Sequence, residues 1–85
     1  MQAIVRRTRI DIEGASDVPE GTWIRLLDEL KAVRMPGLTP PGKRMMLAIN
    51  QSGRMDAFIY RTGLTDEEVI CILAKYGIEA HTWVI

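Results

Sequence analysis

Three arginines, Arg6, Arg7 and Arg9, stand close together near the start of the chain. Guanidinium forks match the geometry of phosphate and carboxylate groups, so this cluster is a candidate for holding a nucleic acid or an acidic partner. Lys43, Arg44, Arg54 and Arg61 are the further cations a nucleic-acid surface would draw on. Phe58 and Tyr60, two positions apart, are rings of the kind that stack bases beside such charges. The surrounding charges dilute this signal. Asp11 and Glu13 follow the same alternation as Arg7 and Arg9, Asp56 follows that of Phe58 and Tyr60, and the first apolar run has no aromatic residue. The 11 basic and 11 acidic residues cancel, which removes the whole-molecule pull expected of a general nucleic-acid binder. A protein-binding surface made of Arg7, Arg9, Met46, Phe58, Tyr60 and Trp83 is therefore the first expectation. Nucleic-acid binding through Arg7, Arg9, Lys43, Arg44, Arg54 and Arg61 is the alternative.

Other reactive residue types point to no catalytic or metal centre. His81 and Cys71 are each the single residue of their kind, whereas zinc needs several convergent nitrogen or sulfur ligands. Cys71 as a nucleophile would depend on His81 as its base. Two positions after Val69 and off the apolar stripe, it reads instead as a buried or half-buried packing thiol. Gly14 to Gly21 resembles an anion-holding loop in its glycines, but its carboxylates stand where the anion would sit. Asp66, Glu67 and Glu68 are accounted for by the field of a helix N-terminus. An active site shared between subunits would draw on Tyr60, His81 and Arg9. The expectation is a non-enzymatic protein with no catalytic residue, no metal and no cofactor.

The elements that must position these residues are best marked at the C-terminal end. Thr65 and Glu68 form a capping box, with Leu64 and Val69 as its hydrophobic staple. Val69, Ile72, Leu73 and Tyr76 recur at helical spacing, Gly77 supplies a left-handed exit, and Ile78 is placed to touch Leu73. The spacing predicts a helix from Thr65 to Tyr76 and a strand from Glu79 to Ile85. Leu26, Leu27, Leu30 and Val33 predict an earlier helix from about Trp23, capped by Asp17 or Thr22. Ala3 to Glu13 alternates as a single strand, with Ile4, Arg6, Thr8, Ile10 and Ile12 on one face and Val5, Arg7, Arg9, Asp11 and Glu13 on the other. That assignment puts Arg6 on the core side. Met35 to Lys43 holds three of the four prolines and reads as a stiff loop. Residues 44–49 and 55–61 predict a hairpin across Asn50 to Arg54.

The resulting order is strand, helix, strand, strand, helix, strand. It predicts one α+β domain over residues 1–85, with a ferredoxin-like βαββαβ layout: an antiparallel four-stranded sheet with two helices on one face. The resemblance is one of element order and carries no activity with it. Met46, Phe58, Tyr60 and Trp83 alternate with Leu47, Ile49, Met55, Ile59 and Val84, so the later strands are apolar on both faces while the helices cover only one. Such a surplus is seldom left to water. A homodimer packed sheet to sheet is the expected solution, with another protein as the alternative occupant. No apolar run resembles a signal peptide or membrane span, and a cytoplasmic location is expected. The function expected is binding to, and inhibition or regulation of, another macromolecule; an inhibitor carried by a phage or mobile element is the narrower version.

Overall fold

The alternation over residues 3–13 does not run through as one strand. In the computed structural model, which describes residues 1–83, it folds back on itself. Strands β1 (Gln2–Val5) and β2 (Arg9–Ile12) form an antiparallel hairpin pairing Ala3 with Ile12, Ile4 with Asp11 and Val5 with Ile10. The Arg6 N–H donates to the Arg9 carbonyl at 2.9 Å, which leaves only Arg7 and Thr8 in the turn. The turn inverts side-chain parity. Ala3 and Val5 share the core face with Ile10 and Ile12, while Arg6 and Arg9 meet on the opposite face. The expected core-side position of Arg6 is corrected accordingly, as is the placing of Ile4 inside and Val5 outside.

A 3₁₀ turn (Ala15–Asp17) leads to α1 (Glu20–Glu29), followed by β3 (Met46–Ile49), β4 (Met55–Tyr60), α2 (Asp66–Lys75) and β5 (Glu79–Thr82). The strand order is β3-β4-β2-β1-β5, antiparallel throughout except for the parallel pair β1 and β5. The chain is α+β, but the four-stranded ferredoxin-like layout is corrected to a five-stranded mixed sheet. The cause is the extra hairpin. β1 takes the place beside β2 that the last strand would have filled, and β5 pairs one strand further out. Each helix still connects two strands of the same direction, α1 across β4 and α2 across β2 and β1.

Both helices pack on one face. Trp23, Leu26 and Leu27 of α1 and Val69 and Leu73 of α2 share one core with Ala3, Val5, Ile10, Ile12, Ala57 and Ile59. α2 has the predicted boundaries. The Glu68 N–H donates to Thr65 Oγ1 at 3.2 Å, the Thr65 N–H donates to Glu68 Oε1 at 3.1 Å, and Gly77 adopts a φ of 74° at the exit. There the Ile78 and Gly77 N–H groups donate to the carbonyls of Leu73 and Ala74, the paired bonds of a Schellman ending.

α1 departs from expectation at both ends. Its N-cap is Pro19 without a side-chain cap, not Asp17 or Thr22. It stops at Glu29, short of Val33, because Lys31 turns left-handed with a φ of 55°. The Ala32 and Lys31 N–H groups then donate to the carbonyls of Leu27 and Asp28, closing the same ending without a glycine. Val33 lies outside the apolar stripe and is exposed.

The proline loop is pinned by Thr39, which is buried and accepts at Oγ1 from the Met35 N–H at 3.1 Å. The predicted β3–β4 hairpin is present, its turn closed by Asn50 Oδ1 accepting from the Ser52 and Arg54 N–H groups. The end of the expected last strand, Val84 and Ile85, lies outside the described residues. No helix among the described residues is long and apolar enough to cross a membrane.

Candidate functional site on the open face of the sheet

The side of the sheet away from the helices presents three rows that run across the strands. Hairpin pairing sets Arg6 beside Arg9, Arg9 lies opposite Tyr60, and Trp83 flanks Arg6, giving an aromatic and cationic row. The middle row is Met46, Phe58, Asp11, Ile4 and His81, each in register with the next. At the far end lie Ala48 and Asp56, then Glu13 beside Gln2, then Glu79. Two arginines thus stand at one end of the face and three carboxylates at the other, about four residues away along β2.

Asp11 organises the first two rows. Arg6 Nε donates to Asp11 Oδ2 at 2.6 Å, and Arg9 Nε lies 3.0 Å from Oδ1. Only the first contact has hydrogen-bond geometry; Oδ1 is buried and accepts no hydrogen bond among the described residues. The residue as a whole is 8% exposed, an unusual burial for an aspartate in an uncovered sheet face. It is roofed by the two guanidinium groups. Each of these stacks on a ring, Arg6 over Trp83 at 4.5 Å from the centroid and Arg9 over Phe58 at 4.9 Å. Such contacts contribute roughly 0.5–2 kcal/mol each, rising with desolvation. One carboxylate faces two cations, so the cluster keeps a residual positive charge.

Of the residues expected to bind a protein partner, Arg9, Met46, Phe58, Tyr60 and Trp83 are brought together on this face. Arg7 is not: the hairpin turn carries it to the exposed tip. The expected nucleic-acid set is dispersed. Lys43 and Arg44 line a cleft beside α1, with Arg44 Nη1 2.6 Å from Asp28 Oδ1. Arg54 is exposed in the β3–β4 turn near Glu13. Arg61 is an internal fastening, donating to the Arg6 carbonyl at 2.9 Å, the Leu64 carbonyl at 2.8 Å and Asp66 Oδ1 at 2.5 Å. The expected site sets leave out Arg6, whose face depends on recognising the turn at Arg7 and Thr8, and Asp11, which the alternation places on the face of Arg9 but which reads in the sequence as diluting the cationic cluster and not as anchoring it.

The apolar surplus is also redistributed. On the open face it amounts to Met46, Phe58, Tyr60, Ile4 and the half-exposed Trp83. A second exposed apolar region lies on the helix side at the β3 edge, where Leu47 is 48% and Ile49 72% exposed. Leu47 borders a groove of about 550 Å³ with Trp23, Ile24, Leu27 and Met55 among its walls. Cys71, expected to be at least half-buried, is exposed on α2. No group of three or more His, Cys, Asp or Glu side chains among the described residues could hold a metal ion. The chain matches no protein-family model, and no curated protein or solved structure is similar to it at a significant level.

Proposed function

We propose that this chain is a small non-enzymatic protein-interaction module, acting in the cytoplasm as a homodimer, that binds another macromolecule and inhibits or regulates it. The observation that carries this reading is the concentration of Trp83, Tyr60, Phe58, Arg6 and Arg9 on one uncovered sheet face. Trp, Tyr and Arg dominate binding energy at protein interfaces. Here Asp11 and the stacked rings hold the arginines in place beforehand, which reduces the ordering cost of association. The groove at the β3 edge opens on the other side of the molecule and stays accessible when the open face is occupied. Light scattering after size exclusion at about 100 μM, a concentration suited to a modest interface, is expected to give a dimer. Trp83→Ala is expected to shift it towards monomer.

Nucleic-acid binding is the second reading, favoured by one observation: Phe58 and Tyr60 project together from an inner strand beside Arg9, as base-stacking rings do. Asp56, Glu13 and Glu79 at the other end of the face oppose a polyanion crossing it. Titration with single-stranded RNA and DNA at low salt separates the two readings. Binding that weakens steeply with salt and is reduced by Arg9→Ala would favour nucleic acid.

A further inference from the structure

The open face is charge-complementary to itself. Arg6 and Arg9 form one end, Glu13, Asp56 and Glu79 the other, where three carboxylates outnumber the single cation Arg54 near Glu13, and Asp11 lies midway between Arg9 and Glu13 along β2. Between the charged ends runs the middle row, in which Met46, Phe58 and Ile4 supply apolar surface around the buried Asp11, with His81 exposed at the β5 end. An apolar centre with polar margins is the usual anatomy of a specific interface.

Two copies can pack such faces together about a two-fold axis lying between the sheets, in two simple ways. An axis along the strands sets arginine row against arginine row and acidic row against acidic row, which is repulsive twice over. An axis across the strands, passing over the middle row, reverses one sheet relative to the other and sets each arginine row against the other copy's acidic row. From this geometry we infer that the occupant of the open face is a second copy of the chain, packed about the axis that crosses the strands. The inference rests on the homodimer reading and adds its orientation and contacts.

In this arrangement Arg9 faces the partner's Glu13, Tyr60 faces the partner's Asp56, and Trp83 lies toward the partner's Glu79, each contact occurring twice. Sheets packed face to face stand about 10 Å apart, a gap that an arginine and a glutamate span together. The residual positive charge on the Arg6–Asp11–Arg9 cluster, which Asp11 alone leaves uncancelled, is balanced by the facing carboxylates. Five strands at about 4.8 Å spacing and four to six residues in length give a face of roughly 400 Å² in projection, the low end for a specific dimer.

The test uses charge reversal in the full chain, read by light scattering after size exclusion at about 100 μM, with circular dichroism to confirm folding. Wild type is expected to be dimeric, and Arg9→Glu and Glu13→Arg each monomeric, since each places two like-charged pairs across the axis. Mixing the two variants is expected to restore a dimer, because every reversed residue then meets its opposite. Glu13 is exposed and has no side-chain ion pair among the described residues, so the Glu13→Arg arm stands even if Arg9→Glu disturbs the Asp11 cluster. A dimeric wild type with an equally dimeric Glu13→Arg overturns this orientation while leaving the homodimer reading intact. Folded monomeric variants that fail to dimerise on mixing overturn it too. A monomeric wild type overturns both.

Discussion

Asp11 and Lys31 each sit in an environment that the bare residue type would not choose, and each gives a direct stability test. Asp11 holds two guanidiniums at Nε distances of 2.6 and 3.0 Å. Asp11→Asn removes the negative charge and leaves the two cations facing one another. A loss of about 1–3 kcal/mol is expected in urea denaturation, the range for uncovering a partly buried charge-assisted bond. Arg6→Gln, which leaves one cation on one carboxylate, is expected to cost less. Lys31 pays the left-handed cost that Gly77 avoids at the equivalent place after α2. Lys31→Gly is therefore expected to stabilise the fold by about 0.5–1 kcal/mol, the left-handed penalty less the extra chain entropy that glycine gives up. The residue types at Arg9, Phe58, Tyr60 and Trp83 were legible as a binding set. Arg6 and Asp11 were not, since their roles depend on which strand faces which.

At the level of elements, legibility followed the strength of local chemistry. α2 carries its own start and stop in Thr65, Glu68 and Gly77, and the structure has them at those positions. The β3–β4 hairpin is similarly marked by Asn50 and Gly53. The first hairpin has no such mark: Arg7 and Thr8 form a two-residue turn without glycine, asparagine or positive φ, and uninterrupted alternation hides it. One missed turn changed the sheet from four strands to five and exchanged the faces of Ile4, Val5 and Arg6. Between the helices, Glu29 of α1 accepts hydrogen bonds from Lys75 Nζ and Tyr76 Oη at the end of α2. The bond from Lys75, then that from Tyr76, lowers the Glu29 carboxyl below its ordinary range, while the same bonds raise Lys75 and Tyr76. A lowered folded value means that the carboxylate contributes stability above its unfolded value and loses it as pH falls through the folded one. Stability is thus expected to fall on acidification through and below the carboxylate range. Glu29→Gln is expected to flatten that part of the profile, as measured by urea midpoints at successive pH values.

For the whole molecule, the decisive quantity is how much sheet two helices can cover. Five strands at about 4.8 Å make a sheet roughly 24 Å wide, and two helices about 10 Å across cover roughly 20 Å of it. One strand's width is left over. α2 packs on β5 and β1, so the deficit falls at the other edge, on β3. That is why Leu47 and Ile49 have the parity of core residues and the exposure of surface ones, whereas Ile59 on β4 is 1% exposed. Sequence periodicity could not reveal this, because it reports which face a side chain points to and not whether anything covers that face. The two isoleucines therefore make a matched experiment. Ile59→Ala is expected to cost about 2–5 kcal/mol, the range for emptying a filled core site, and Ile49→Thr less than about 0.5 kcal/mol, as for a surface change. Urea denaturation of both variants at low and high protein concentration checks the pair. The Ile49→Thr effect should stay small at both concentrations, since a dimer joined through the open face leaves β3 uncovered on the helix side. An Ile49→Thr cost that grows with concentration would place the self-association surface at the β3 edge instead.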